Sequence, residues 1–188
     1  MLNRAILICV FFLGGCATAP VEQPPSAGHN QRVLNEGYSM LYDAVSTQKQ
    51  SDKLLLIKLE SKDVKTVIGG ISDAAERVQK DLDEMAKRDP RLELKLKPLP
   101  AIEVEARKSA NFERLKDLLG QTGKEFERLL LLTQSGVLNS ERHLAKTLSA
   151  RETNPQRKKL MQEVSRTFDD QYEKVVRLLE ARYFTPTK

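Results

Sequence analysis

The 188-residue sequence predicts an all-α fold: a four-helix bundle of two helical hairpins joined by a long crossover that carries a short extra helix. Three observations predict it. Leu, Lys, Glu, Arg and Ala, all good helix formers, dominate the chain, while aromatic residues make up 5% and Trp is absent. Apolar residues recur at alternating steps of three and four along four long stretches, which is the spacing of one helix face. The prolines fall outside those stretches or at the start of one. With 40% apolar and 30% charged residues, the chain can build one core and does not have a disordered composition.

The first helix, α1, is expected over 31–59, with Leu34, Tyr38, Leu41, Val45, Gln48, Asp52, Leu55 and Leu59 facing inward. The second, α2, follows Ser61 as N-cap and runs to Arg88. It carries Val64, Val67, Ile68, Ile71, Ala75, Val78, Leu82 and Met85, and Pro90 stops it. Gly69-Gly70 has no phosphate-loop context and reads as a close helix contact or a weak point. Residues 90–101 hold Pro98 and Pro100 and cannot be helical. Twelve extended residues cover about 40 Å, which matches a 27-residue helix at about 1.5 Å per residue. This segment is therefore expected to run the length of the bundle. Leu92, Leu94 and Leu96 alternate along it, which allows a short strand.

A short charged helix, α3, is expected over 102–119, with Val104, Phe112, Leu115 and Leu119 as its apolar side and Gly120 as its end. Thr122 and Glu125 have the spacing of a capping box. They open α4, which runs to Arg151 with Phe126, Leu130, Thr133, Val137, Leu144 and Leu148 inward. The apolar run Leu129–Leu132 is wider than one stripe needs. It is either covered on two sides or exposed as a patch for a partner. Asn154 caps α5 and Pro155 takes its first position, where a missing N–H does no harm. Leu160, Val164, Phe168, Gln171, Val175, Leu178 and Leu179 face inward, and the helix ends near Phe184. An offset of 93 residues places Leu55 on Leu148, Ser61 on Asn154, Val67 on Leu160 and Leu82 on Val175, so the two hairpins look alike. Two hairpins joined by one long crossover make the ferritin-like arrangement of a four-helix bundle.

The N-terminus reads as an address. Arg4 supplies a positive start, and Ala5 to Leu13 is an apolar run of nine residues. A bilayer-spanning helix needs about 20 residues, so this run is a signal segment rather than a membrane span. Leu13-Gly14-Gly15-Cys16 resembles the lipobox of bacterial lipoproteins. That resemblance implies cleavage between Gly15 and Cys16, and diacylglyceryl and N-acyl lipid on Cys16. Several acyl chains anchor stably where one is marginal. Ala17, rather than Asp, follows the cysteine, which by the same resemblance implies the periplasmic face of an outer membrane, or the outer face of the only membrane in a single-membrane host. The expected organisation is a signal peptide over 1–15, a lipidated cysteine and Pro-rich tether over 16–30, and a helical domain over 31–185. His29 would lie in the tether.

Net charge is +5, and loss of residues 1–15 removes only Arg4. Residues 141–188 hold 11 Lys/Arg against 7 Asp/Glu, while residues 17–140 hold 19 of each. This excess is mixed with acids, as on a solvated helix surface, and allows a weak preference for anionic lipid or polymer. Nothing resembles a nucleic-acid stripe with aromatic platforms. Cys9 is lost with the signal and Cys16 is consumed by lipid, leaving no thiol for a disulfide, nucleophile or metal.

Four stretches, LLLIKLESKDVKTVIGGI (54–71), KPLP (97–100), LKDLLGQTGKEFERLLLLTQ (115–134) and NPQRKKLMQEV (154–164), resemble a family of bacterial outer-membrane and periplasmic proteins with a ferritin-like domain of unknown function. The resemblance covers about 45–185. It implies histidines in the second, fourth and last helices and a glutamate in the first. Those positions fall here on Ala75, Leu138, Gln171 and Gln48. An aliphatic or amide side chain cannot replace a carboxylate or imidazole ligand. No Glu-x-x-His pair of the di-iron type occurs, and His143 is expected on the outer side of α4.

Gln48, Asp52, Glu141 and Gln171 are expected to form a polar core layer, either a hydrogen-bonded layer that fixes register or an altered ligand site. No Ser or Cys is placed with a His, so acyl transfer has no base. The expected function is that of a non-enzymatic, membrane-anchored binding or envelope-support module. It has no cofactor beyond its lipid, and its partner is an envelope protein held through α4 or the basic α5. A metal- or redox-linked ferritin-like protein and a chaperone-like or lipid-handling bundle are the alternatives.

Overall fold

The structure is a computed structural model that describes residues 27–55 and 58–184, with side chains described except at residues 27 and 50–55. Among these residues there are five helices and no strand. They are α1 (Ala27–Leu55), α2 (Lys62–Arg88), α3 (Ala101–Gly120), α4 (Gly123–Arg151) and α5 (Pro155–Tyr183). The expected signal peptide, the lipobox with Gly15 and Cys16, and most of the tether lie outside the described residues.

The start of α1 departs from expectation. Residues 27–30, expected in the tether, form its first turn. The last prolines before it are Pro24 and Pro25, and nothing after them blocks a helix. Gln31 and Asn35 then fasten this end by donating to the Arg91 carbonyl at 3.2 and 2.9 Å. The other end also differs. Leu59 lies beyond the helix, yet is buried. The Glu60 and Ser61 N–H groups donate to Glu127, which draws the backbone out of the helical pattern there.

Four helices close a ring, with α1 against α2 and α4, and α5 against α2 and α4. Cross-links show that each neighbouring pair is antiparallel. Tyr42 meets Asp83 at 3.0 Å and Gln79 donates to Ser46 at 2.8 Å. Ser165 donates to the Arg142 carbonyl at 3.1 Å. Tyr38 reaches Glu152 while Gln48 reaches Gln134. Arg182 pairs with Asp63 at 2.9 Å, and Gly70 lies beside Gln171. Inside the ring sit Tyr38, Leu41, Ile68, Ile71, Leu82, Phe126, Leu130, Leu138 and Phe168, all essentially unexposed. Positions 93 residues apart share their settings: Ser61 and Asn154 are both N-caps, Leu82 and Val175 are both buried, and Val67 and Leu160 are both half-buried, while the Leu55 side chain, expected to match Leu148, lies outside the described set.

Local chemistry sets the helix ends. The Asn154 side chain accepts from the Gln156 and Arg157 N–H groups, with Pro155 at the first position. Thr122 occupies the N-cap of α4, but its side chain makes no capping bond, and Glu125 turns outward to Arg128. The expected capping box is thus absent. Gly123 opens the helix with φ 55°, a left-handed conformation that a Cβ disfavours. Ser61 likewise makes no side-chain cap and instead donates to Glu127.

The crossover follows α1 but forms no strand. Ser39 donates to the Glu93 carbonyl at 3.0 Å and accepts from the Leu96 N–H at 3.1 Å. Leu92 and Leu94 are buried and Leu96 is half-buried. The next helix, α3, ends beside Lys58, whose ammonium donates to the Leu119 and Gln121 carbonyls at 2.8 and 3.1 Å.

The expected inward side of α3 is wrong. Residues 105–117 are exposed on every side, and the one buried residue of the helix is Leu118. Phe112, Leu115 and Leu119 are 66%, 46% and 49% exposed. A periodic stripe shows that a helix has an apolar side; it does not supply the surface that covers it. By contrast, Leu129–Leu132 is no exposed patch: Leu130 and Leu131 are buried, and Leu129 and Leu132 pack half-buried on the core.

Truncation separates these roles. In urea unfolding, Leu118→Ala is expected to cost about 2–3 kcal/mol, as buried Leu truncations do. Phe112→Ser is expected to change stability by less than about 0.5 kcal/mol. Equal losses at the two positions would show that α3 packs on the bundle along its length.

Candidate functional site

Helix α4 places the polar interior. Its buried row runs through 127, 131, 134, 138, 141, 145 and 148, alternating steps of four and three. Three members of that row, at seven-residue steps, are polar: Glu127, Gln134 and Glu141; the next step lands on Leu148. Thr133, Val137 and Leu144, expected inward, are instead half-buried, one residue off this row. The bundle therefore turns amide and carboxylate groups inward and leaves apolar neighbours at the edge.

Of the expected polar layer, Gln48, Glu141 and Gln171 are buried; Asp52 lies within α1, with its side chain outside the described set. Gln134 was missed. The Gln48 amide sits between Gln134 Oε1 at 3.0 Å and both Glu141 oxygens at 3.2 Å. Facing its nitrogen to the carboxylate gives it the stronger, charged acceptor, and the Gln134 amide then turns its own nitrogen to donate to the Gln48 oxygen. Gln171 stands apart. Its Oε1 is buried without a hydrogen-bond partner among the described residues, and a Cβ at Gly70 would come within 3.4 Å of it. Gly70, not Gly69, is thus the close contact in α2, since Gly69 faces open space.

Two further carboxylates close the ends of the bundle. At the end where α1 meets α2, Glu127 is 1% exposed. Its oxygens accept from the Ser61 hydroxyl at 2.6 Å, the Ser61 and Glu60 N–H groups at 2.7 and 3.1 Å, and the Tyr183 hydroxyl at 3.0 Å. A side chain from α4 thereby caps α2 and clasps the end of α5. Burial alone would raise this carboxyl, but the bonds from Ser61, Tyr183 and Glu60 outweigh it and hold Glu127 below the ordinary carboxylate range. Tyr183 moves the other way, pushed up to about 12 by burial and then by the Glu127 carboxylate.

At the opposite end, Glu152 accepts from Tyr38 at 3.0 Å, the Asn154 N–H at 2.9 Å and Arg157 at 3.0 Å. Arg157, 3% exposed, also lies 3.3 Å from Asp89 and donates to Gln31 at 3.3 Å. Burial, and then Glu152, push the Tyr38 hydroxyl well above its ordinary value. A hydrogen bond from Arg91 holds Asp89 below the usual carboxylate range.

The two end carboxylates, Glu127 and Glu152, thus spend their acceptor capacity on the backbone and on Ser61, Tyr183, Tyr38 and Arg157. Ala75 and Leu138, at two of the positions where the resemblance implies histidines, are fully buried and offer no lone pair. Among the described residues, no group of three or more His, Cys, Asp or Glu side chains could hold a metal ion. His29 lies exposed in the first turn of α1, not in a tether. His143 is exposed on α4, in a shallow groove with Arg142, Lys146 and Arg166. No described helix is long and apolar enough to cross a membrane. Comparison with protein families, with curated proteins and with solved structures finds no match to this chain.

The Glu127 clasp predicts a pH dependence. A carboxyl whose pKa is depressed on folding contributes stability that is present above its unfolded value and lost as pH falls through the folded value. Glu127→Gln is expected to lose about 2 kcal/mol at neutral pH, as for bonds to a charged group. In urea titrations, the gap to the unsubstituted chain should narrow as pH falls below about 4.3. A gap independent of pH would contradict an ionised clasp.

Proposed function

We propose that this chain is a lipidated, envelope-facing helical module that works by binding rather than by chemistry. Leu13-Gly14-Gly15-Cys16, followed by a proline-bearing segment, supports an anchor at Cys16 and a domain that starts eleven residues later at Ala27. Two antiparallel hairpins, the pairings of α1 with α4 and α2 with α5, and a crossover laid along α1 support the ferritin-like reading of the bundle.

The observation that carries the binding reading is α3. It is a helix of 20 residues whose middle is exposed on all sides, with Phe112, Leu115 and Leu119 unpartnered. An isolated helix of this length is marginal in water, and an amphipathic helix of this kind gains stability by laying its apolar face in a partner's groove. The buried polar row favours one second reading. Gln48 and Gln171 occupy positions where the resemblance implies ligands, so the layer is consistent with a metal-binding ancestor whose ligands were exchanged for amides.

Metabolic labelling with an alkyne palmitate is expected to mark the chain in cells and to fail with Cys16→Ala. A photo-crosslinker replacing Phe112 is expected to join the labelled chain to one dominant envelope protein, and one replacing exposed Lys65 is not. Labelling that survives Cys16→Ala sinks the anchor. Crosslinks equal at both sites, or absent from both, sink the assignment of binding to α3.

A further inference from the structure

The net positive charge of the chain is gathered at one end of the bundle. The contacts of Gln31 with Arg91, of Tyr38 with Glu152 and of Arg157 with both Asp89 and Gln31 bring three segments to that end: 27–32, 86–91 and 150–159. They hold eight Lys/Arg and two Asp/Glu, a net of +6 where the whole chain is +5. At the far end, residues 58–63, 119–128 and 180–184 hold five of each, a net of zero.

Burial sharpens the contrast. The two acids at the charged end, Asp89 and Glu152, turn toward Arg157, and neither is exposed. Seven of the eight bases, all except Arg157, are exposed. Arg32, Arg88 and Lys159 pair with Glu36, Glu84 and Glu163 on their own helices, and Arg91 pairs with Asp89. Among the described residues, Lys87, Arg151 and Lys158 have no ion-pair partner, and they come from α2, α4 and α5 in turn.

This is also the end at which the chain enters the bundle, because α1 begins there at Ala27. We infer that this cationic end is a docking face for an anionic lipid surface, with Lys87, Arg151 and Lys158 at its centre. The inference rests on the reading that Cys16 is lipidated. Residues 17–26 would then hold the face within about 30 Å of the membrane, at about 3.1 Å per residue. Screening confines attraction to about 8 Å at physiological salt, so the tether brings the face into range without fixing it there. Tethering also makes the local concentration high, on the order of millimolar, so weak individual attractions suffice to orient the bundle. Docked this way, the bundle directs its neutral end, with Lys58 and the C-terminus of α3, away from the lipid.

The test uses the mature chain, residues 16–188, with Cys16→Ser, so that lipid on the protein plays no part. It is expected to sediment with vesicles of phosphatidylcholine plus phosphatidylglycerol, not with phosphatidylcholine alone, and to be released by molar salt. Lys87→Glu, Arg151→Glu and Lys158→Glu together should weaken that binding by about a hundredfold. Lys62→Glu, Lys116→Glu and Lys124→Glu, the same charge change placed elsewhere, should weaken it far less. Circular dichroism checks that each variant folds. If the reversals unfold the chain, the Gln versions of the first three sites read the same loss at smaller amplitude. Equal binding to both vesicle types overturns the inference, as do equal losses from the two triple variants. Sedimentation with isolated peptidoglycan but not with vesicles overturns the lipid assignment in favour of a wall polymer. Failure of palmitate labelling, by contrast, would remove the anchor and leave the vesicle result standing.

Discussion

The buried pairing of Arg157 with Glu152 is the constraint on which the rest of this structure depends. A guanidinium and a carboxylate taken out of water cost several kcal/mol each unless geometry and further bonds compensate. Here Tyr38 from α1, Asn154 at the hairpin turn, Asp89 after α2 and Gln31 in the first turns of α1 surround the pair. Every bundle helix contributes to that end or terminates at it. The same arrangement draws Asp89 and Glu152 inward, so the outer side of this end carries an excess of cations. A packing requirement inside the bundle thus produces a charge asymmetry outside it.

The opposite end solves a related problem with one carboxylate. An N-terminus such as that of α2 leaves backbone donors unpaired. Glu127 meets them from a neighbouring helix, and Tyr183 occupies the same oxygens. Between the two ends, Gln48, Gln134 and Glu141 meet inside a mostly apolar core. Register is the physical use of such a layer. A slip of one turn would bury these groups against Leu and Phe, where each unpaired group costs about 1–3 kcal/mol.

The ends of α2, α4 and α5 were legible in the sequence because they depend on local chemistry, whereas both ends of α1 were not. Pro90 forbids continuation, Asn154-Pro155 favours initiation, and α2 ends and α5 begins where those residues place them. Inward faces were legible where apolar spacing was clean, as along α2. In α4, apolar weighting chose Thr133, Val137 and Leu144, whereas the buried row carries Gln134, Leu138, Glu141 and Ala145. The signal was present: that row keeps its spacing through all its members, and three of them, at seven-residue steps, are polar. It was hidden because Glu127, Glu152 and Arg157 look like surface charges until their partners, distant in sequence, are known. The apolar side of α3 failed differently, since local periodicity cannot say whether anything in the chain covers it. The polar layer was half legible: Gln48 and Glu141 were foreseen, Gln134 was not, Gln171 is buried but stands apart, and the Asp52 side chain lies outside the described set.

On the proposed reading, the functional surfaces of this molecule are its outside features, a cationic end and a projecting α3, with the polar interior serving structure. Depth-sensitive fluorescence quenching in proteoliposomes tests that arrangement most directly. Single cysteines replace Lys158 or Lys124 in the lipidated chain, each carries a thiol-reactive fluorophore, and the quencher is attached to lipid headgroups. The account predicts strong quenching at position 158 and little at 124. Equal quenching at both positions, or stronger quenching at 124, would contradict it.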